Sequence, residues 1–372
     1  GTKNELKALR AIELALLQSG LAASVTNISI ATLDQAAQII GEHYSKGAAY
    51  HGGRELERLA TFVTSKRLVE QNISDWKSPL KREKDLIQTG QKAKERRESK
   101  MPSEDALAAL AEIFSNSPTK PQDIFISSTF AMLMCAPSRI TEILELPVDC
   151  EIEQLDSKGI TRYGWRFYSG KGFGADIKWI PTEMVSVAKE AIFRLKKMTE
   201  TSRQLSLWIE QNPNKFYRYE NCPGVADDQP LSMIEASRAL GMAHHTRKAA
   251  QSALNNCELE TKDDVHTLSS LWRYVLSRQP KEFPWISQEK GIKYSNALFC
   301  MQRNLLHEVR GTSPVILWKP TNNVFNNNLS PRYNVGDSHT SIFDRYGYKT
   351  SDGERIKLTS HQAHHLLNTV AQ

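Results

Sequence analysis

Near the end of the chain, His361, His364 and His365 stand at relative positions 0, 3 and 4 inside the run 358–369. On a helix, residues three and four apart share a face, so His361 projects beside His364 and His365. Thr359 or Ser360 is suited to cap the helix start just before them. A helix start also favours anions, through its free N–H groups and the macrodipole. The cluster is open to three uses: local packing on a polar helix start, a metal site built from imidazoles, or a site that handles phosphate. No carboxylate completes the HExxH arrangement of a zinc hydrolase, which weighs against metal. Two cations elsewhere have the chemistry to join such a site. Ser138 is placed to cap a helix, which puts Arg139 in the first turn with Glu142 one turn on to fix its orientation. Lys171 stands between Gly170 and Gly172 at the tip of a glycine-rich turn, where it can reach into a neighbouring groove.

The elements that must position these groups follow from the pattern. A chain of 372 residues with 40% hydrophobic content suggests two or three domains with real cores. The balance of 48 Lys and Arg against 42 Asp and Glu makes the placement of charge matter more than its sum. Five separated cysteines without a CxxC pair argue against a zinc ribbon or a disulfide scaffold and fit a reduced cytosol. No apolar run reaches the ~18 residues of a membrane helix, so no membrane partner and a cytoplasmic location are expected.

Helical spacing predicts helices over 3–19, 33–44 and 54–68, with Gly52-Gly53 as a breaker before the third. Residues 77–102 form a basic linker, with nine Lys and Arg in its two charged runs, among them Lys92, Lys94, Arg96 and Arg97. Such a linker suits a protein wrapped on a phosphate backbone, which it would bind without reading sequence. A second domain begins at Ser103, with one helix through Ile113 and an apolar, central one opened by Pro121. A hairpin is expected from Arg162 to Ile180, with Ile177, Trp179 and Ile180 as its second apolar run, followed by an amphipathic helix. Between 232 and 248, helix, glycine turn and basic helix have helix-turn-helix spacing, which would set Arg247 and Lys248 against DNA. Helices are expected over 262–278 and 294–308, a polar loop at the asparagines 322–328, and a hairpin over 340–358 turning at Asp352-Gly353. The fold class is therefore mainly α with small β-hairpins.

Three segments carry a family resemblance. Ser-Arg-Ile-Thr-Glu-Ile-Leu-Glu-Leu at 138–146 resembles the first arginine box of the tyrosine recombinases, the phage integrase family. Ser-Gly-Lys-Gly at 169–172 with Trp-Ile-Pro at 179–181 resembles that family's lysine hairpin, and Thr-Ser-His-Gln-Ala-His-His at 359–365 resembles its second box. The resemblance implies a two-domain architecture: a helical core-binding domain at 1–76, then an α+β catalytic domain at 103–372 with a large insertion at about 202–340. It implies site-specific recombination or integration, by cleaving and rejoining DNA through a 3′-phosphotyrosyl intermediate, without cofactor or metal. Arg139 would clamp the phosphate, Lys171 would protonate the leaving 5′ oxygen, and His361 would donate to the phosphate or assist proton transfer. Glu142 and His365 would support them. The implied partners are a double-stranded recombination site and further copies of the chain, a tetramer in the synapse, in the bacterial nucleoid.

Two departures bear on activity. His364 stands where the second box has an arginine, and a histidine lacks the bidentate fork. Losing one such donor typically costs on the order of 10²–10³ in rate. The family's nucleophilic tyrosine would fall beyond Gln372, and Tyr346 and Tyr348 lie upstream of the second box and do not match. The chain as given is thus expected to be inactive. The alternatives are a non-catalytic DNA-binding protein on a recombinase scaffold, and a metal-dependent hydrolase using His361 and His364.

Overall fold

The computed structural model describes residues 2–82, 101–168, 175–242, 244–331 and 340–370. It is largely helical with small antiparallel sheets, the coarse class read from the sequence. The chain divides into two compact units, Gly1–Glu95 and Arg96–Gln372. Most of the basic linker, including Lys92, Lys94, Arg96 and Arg97, lies outside the described residues.

The first unit packs α1 (Thr2–Gln18), α2 (Ile30–His43) and α3 (Lys46–Ser65) against one another. Ser29 and Thr32 form a capping box that starts α2. α1 turns Ala8, Ala11 and Ala15 inward with Ile12 and Leu16, whereas Leu6, Leu9 and Leu17 are exposed. Gly52 and Gly53 do not break a helix; both are buried within α3. A Cβ on Gly52 would meet the Ile40 side chain at 3.1 Å, and one on Gly53 would collide with the Ser78 hydroxyl. Close approach of neighbouring chain, rather than a turn, is what these glycines permit.

The second unit opens with α4 (Glu104–Ser115), capped by Ser103, and α5 (Pro121–Cys135), with proline at its first turn. α5 is buried nearly all round. After it come α6 (Ile140–Ile143) and a sheet of β1 (Glu151–Leu155), β2 (Thr161–Tyr168) and β3 (Ala175–Trp179) in sequential antiparallel order. β2 and β3 are the expected hairpin; β1 is an addition. α7 (Val185–Gln211) follows, packed along α5.

The region after α7 builds a second core. It contains α8 (Met233–Ala239), α9 (Arg247–Asn256), α10 (Leu268–Ser277), and two small ladders, β4 (Trp285–Ser287) with β5 (Ile292–Lys293) and β6 (Met301–Gln302) with β7 (Leu317–Trp318). Phe216, Trp272 and Tyr294 are its large buried rings. The helix expected over 294–308 is instead a short 3-10 turn at Tyr294–Asn296 followed by β6. The asparagine-rich stretch expected as a loop is α11 (Asn322–Leu329). Thr321 caps it, and Phe325 and Leu329, four apart, bury one face, which outweighs the weak helix propensity of asparagine. The expected hairpin at 340–358 is α12 (Ile342–Tyr346), started by a Ser341–Asp344 capping box and ended by Gly347 at φ 75°. Only the turn at Asp352-Gly353 is as read, with Thr350 N–H donating to the Glu354 carbonyl at 3.0 Å. α13 (Ser360–Val370) closes the described chain. Among the described residues, no helix is long and apolar enough to cross a membrane.

Candidate functional site

The segment bearing Arg139 begins where α5 ends. Ala136 is extended, as the residue before a proline must be, and Pro137 keeps the helix from continuing. Arg139, not Ser138, takes the N-cap position of α6. Glu142 turns back so that its Oε2 accepts from the Arg139 backbone N–H at 3.2 Å, while Oε1 lies 3.5 Å from Arg139 Nη1. The guanidinium therefore stands at the positive end of the short α6, where the Glu142 carboxylate offsets it. The Arg139 side chain is 64% exposed.

Ser138 is buried because a lysine from the hairpin has claimed the segment. Lys178 Nζ donates to the Pro137 carbonyl at 2.7 Å, to Ser138 Oγ at 3.3 Å and to Glu142 Oε2 at 3.0 Å. Lys178 pairs across the ladder with the fully buried Trp165, and its ammonium lies 4.3 Å from the Phe167 ring centre. Ile177 and Trp179, part of the apolar run that marks this strand, do not share the face of Trp165. The register instead puts Lys178 on the aromatic face, and Trp179 is 42% exposed. Burial works to raise the Glu142 carboxyl, but the bond to Lys178 and the N–H and charge of Arg139 outweigh it. The group is held below its usual value. Lys171 lies outside the described residues.

α13 packs against α5, the helix that leads directly into the arginine segment. Thr359 starts it: its N–H donates to Gln362 Oε1 at 3.0 Å, one half of a capping box, and Ser360 N–H donates to Asn326 Oδ1 at 2.9 Å. Ala363 is buried in the core below, and His361 is exposed. His361 and His365 meet edge to face, Nε2 to Nε2 at 2.9 Å, so one ring donates and the other accepts. His364 and His365 lie further apart, with ring centres 6.4 Å from each other. Arg139 and His361 thus stand on elements that share one core, and they make no hydrogen bond to each other among the described residues. No group of three or more His, Cys, Asp or Glu is placed to hold a metal ion among the described residues.

A second ionic centre was missed in the sequence. Asp123, on α5, is 3% exposed and Arg345, on α12, 8%. Arg345 donates to Asp123 Oδ1 from Nε at 3.0 Å and from Nη2 at 2.6 Å, and to the Thr340 carbonyl at 2.9 Å. The Tyr346 hydroxyl donates to Asp123 Oδ2 at 3.3 Å. Burial, then the Asp123 charge, raises the Tyr346 phenol above its usual value. It is thereby held as a protonated donor to Asp123. Burial pushes the Cys135 thiol up to about 12.

The helix-turn-helix expectation meets a longer connection. α8 ends at Ala239 and α9 starts at Arg247, against the roughly 3–4 residue turn of that motif. Arg247 is ion-paired with Asp263, and Lys248 is exposed. The chain matches no protein-family model and no curated protein.

Proposed function

We propose that this chain carries the phosphate-binding part of a tyrosine-type site-specific recombinase, which cleaves and rejoins DNA by transesterification at a phosphodiester. One observation supports it above the rest. The helix bearing His361 and the segment bearing Arg139, more than two hundred residues apart, lean on the same buried helix, and the hairpin reaches the arginine segment through Lys178. In this reading Arg139 directs its outward guanidinium at the non-bridging oxygens as negative charge builds there, and His361 donates from the helix start. Lys171 supplies the proton to the leaving oxygen. The two-domain architecture, the duplex recombination site, the tetrameric synapse and the nucleoid location belong to the same proposal.

His364, in place of the second arginine, favours a second reading: a DNA-binding protein on this scaffold that performs no chemistry. Fluorescence anisotropy with labelled duplex DNA, titrated against salt, tests the first reading. The expected affinity falls steeply with salt, Arg139→Ala lowers the slope by about one, and His364→Arg strengthens binding by about tenfold. Absence of DNA binding at low salt overturns both readings. An unresponsive Arg139→Ala overturns the phosphate clamp. His364→Arg without effect leaves the non-catalytic reading standing in its place.

A further inference from the structure

Lys178 is an unusual resident of the sheet's aromatic face. A strand that packs Trp165 and Phe167 would bury an aliphatic side chain there without difficulty, yet the position holds a cation. An ammonium has three N–H donors, and all three are used on one short stretch of chain, residues 137–142. One of those acceptors is the same carboxylate that faces Arg139. Glu142 therefore serves two cations, with Oε2 on Lys178 at 3.0 Å and Oε1 toward Arg139 at 3.5 Å. Sharing weakens the hold on the guanidinium: a carboxylate already committed to an ammonium attracts a second cation less, so Arg139 keeps its affinity for an outside anion. The same side chain ties strand β3 to the arginine segment, 40 residues earlier in the chain.

We propose that Lys178 is a positioning residue, one that sets the direction and the free charge of Arg139 without itself touching the DNA phosphate. The inference rests on the proposed function, in that Arg139 is taken to bind a phosphodiester. Without Lys178, Glu142 closes onto Arg139 as a tight bidentate pair and the guanidinium is withdrawn from the anion.

The test reads Arg139 directly in the 372-residue chain. Phenylglyoxal modification of Arg139 is followed by peptide mass spectrometry, with and without a duplex of random sequence, beside thermal unfolding of each variant. In the unaltered chain, DNA slows Arg139 modification severalfold. Lys178→Met folds, and the DNA concentration that half-protects Arg139 rises about tenfold, the scale of one hydrogen bond to a charged group. Lys178→Arg restores protection, and Lys178→Met combined with Glu142→Gln regains part of it, because no carboxylate remains to capture the guanidinium. A purely structural lysine would not give that recovery. Should Lys178→Met fail to fold, the Lys178→Arg and Glu142→Gln chains decide the matter. Glu142→Gln alone must then change Arg139 protection, and no change overturns the proposal. Equal protection in Lys178→Met and the unaltered chain likewise overturns it. If DNA fails to protect Arg139 in the unaltered chain, the proposed function fails instead, which keeps the two failures distinct.

Discussion

Arg345 and Arg139 each meet a carboxylate in the same unit, and their surroundings could hardly differ more. Arg345 and Asp123 are 8% and 3% exposed, and the guanidinium is engaged by the Asp123 carboxylate and the Thr340 carbonyl. Arg139 is 64% exposed, and its contact with Glu142 is a long 3.5 Å. A buried guanidinium must have its donors filled, because an unpaired charge away from water is strongly disfavoured. An exposed one loses little by leaving donors to solvent, and those donors remain ready for an arriving anion. The first arrangement fixes α12 on α5; the second presents a charge.

The contrast can be broken most forcefully at the sealed pair. Arg345→Ala leaves Asp123 buried and unpaired, and is expected to lower the unfolding free energy by about 3–5 kcal/mol in a denaturant melt. Replacing both partners, Asp123→Leu with Arg345→Met, should recover most of that loss. A double variant as unstable as the single would show that shape, rather than charge matching, decides the site.

A middle-sized effect is expected from acid. The folded Glu142 carboxyl lies below its unfolded value of about 4.3, so its stabilising contribution is complete above that pH and is lost as pH falls through the lower folded value. The stability gap between the unaltered chain and Glu142→Gln should therefore narrow as pH is lowered from about 6 to about 3. A gap that stays constant with pH would mean that Lys178 and Arg139 do not stabilise the ionised carboxylate.

The smallest effect on folding belongs to Arg139→Ala. It is expected to shift stability by no more than about 0.5 kcal/mol while weakening DNA binding, the pattern of a surface residue kept for a ligand. A loss comparable to that of Arg345→Ala would erase the distinction between the two arginines.

What the sequence made legible follows the same division. Local signals carried well: Ser103 and Pro121 mark the starts of α4 and α5, and the residues of β2 and β3 show as a hairpin. The segment containing Arg139 and the helix containing His361 are visible as short runs, although the cap falls on Arg139 rather than Ser138. Partners brought together by tertiary structure were not legible. Asp123 and Arg345 are separated by 222 residues, and nothing near either one announces the other. Lys178 could have been found by pairing β2 with β3 in antiparallel register, since Trp165 opposite it marks the inward face. The asparagines of α11 misled because their propensity is overruled by the burial of Phe325 and Leu329. The Ser341-x-x-Asp344 pattern of α12 is a readable cap, but the turn at Asp352-Gly353 suggests a hairpin over the whole stretch.

One long helix has a practical consequence. α7 has 27 residues, a rod about 40 Å long. Its near half, Ala188 to Leu195, belongs to the core beneath the arginine segment, and its far half, with Leu205 and Ile209, to the later core. The two are therefore joined by a common axle. Removing the later core while leaving the axle full length would strand Leu205 and Ile209 in water, at a loss of about 1.5–3 kcal/mol each, and the near core would still need Phe325, Ile342 and Ala363 from α11, α12 and α13. Cutting the rod at its midpoint offers no easy end either, because Thr199 and Ser202 are buried there and the Thr199 hydroxyl lies 3.1 Å from the Leu298 carbonyl of the near core.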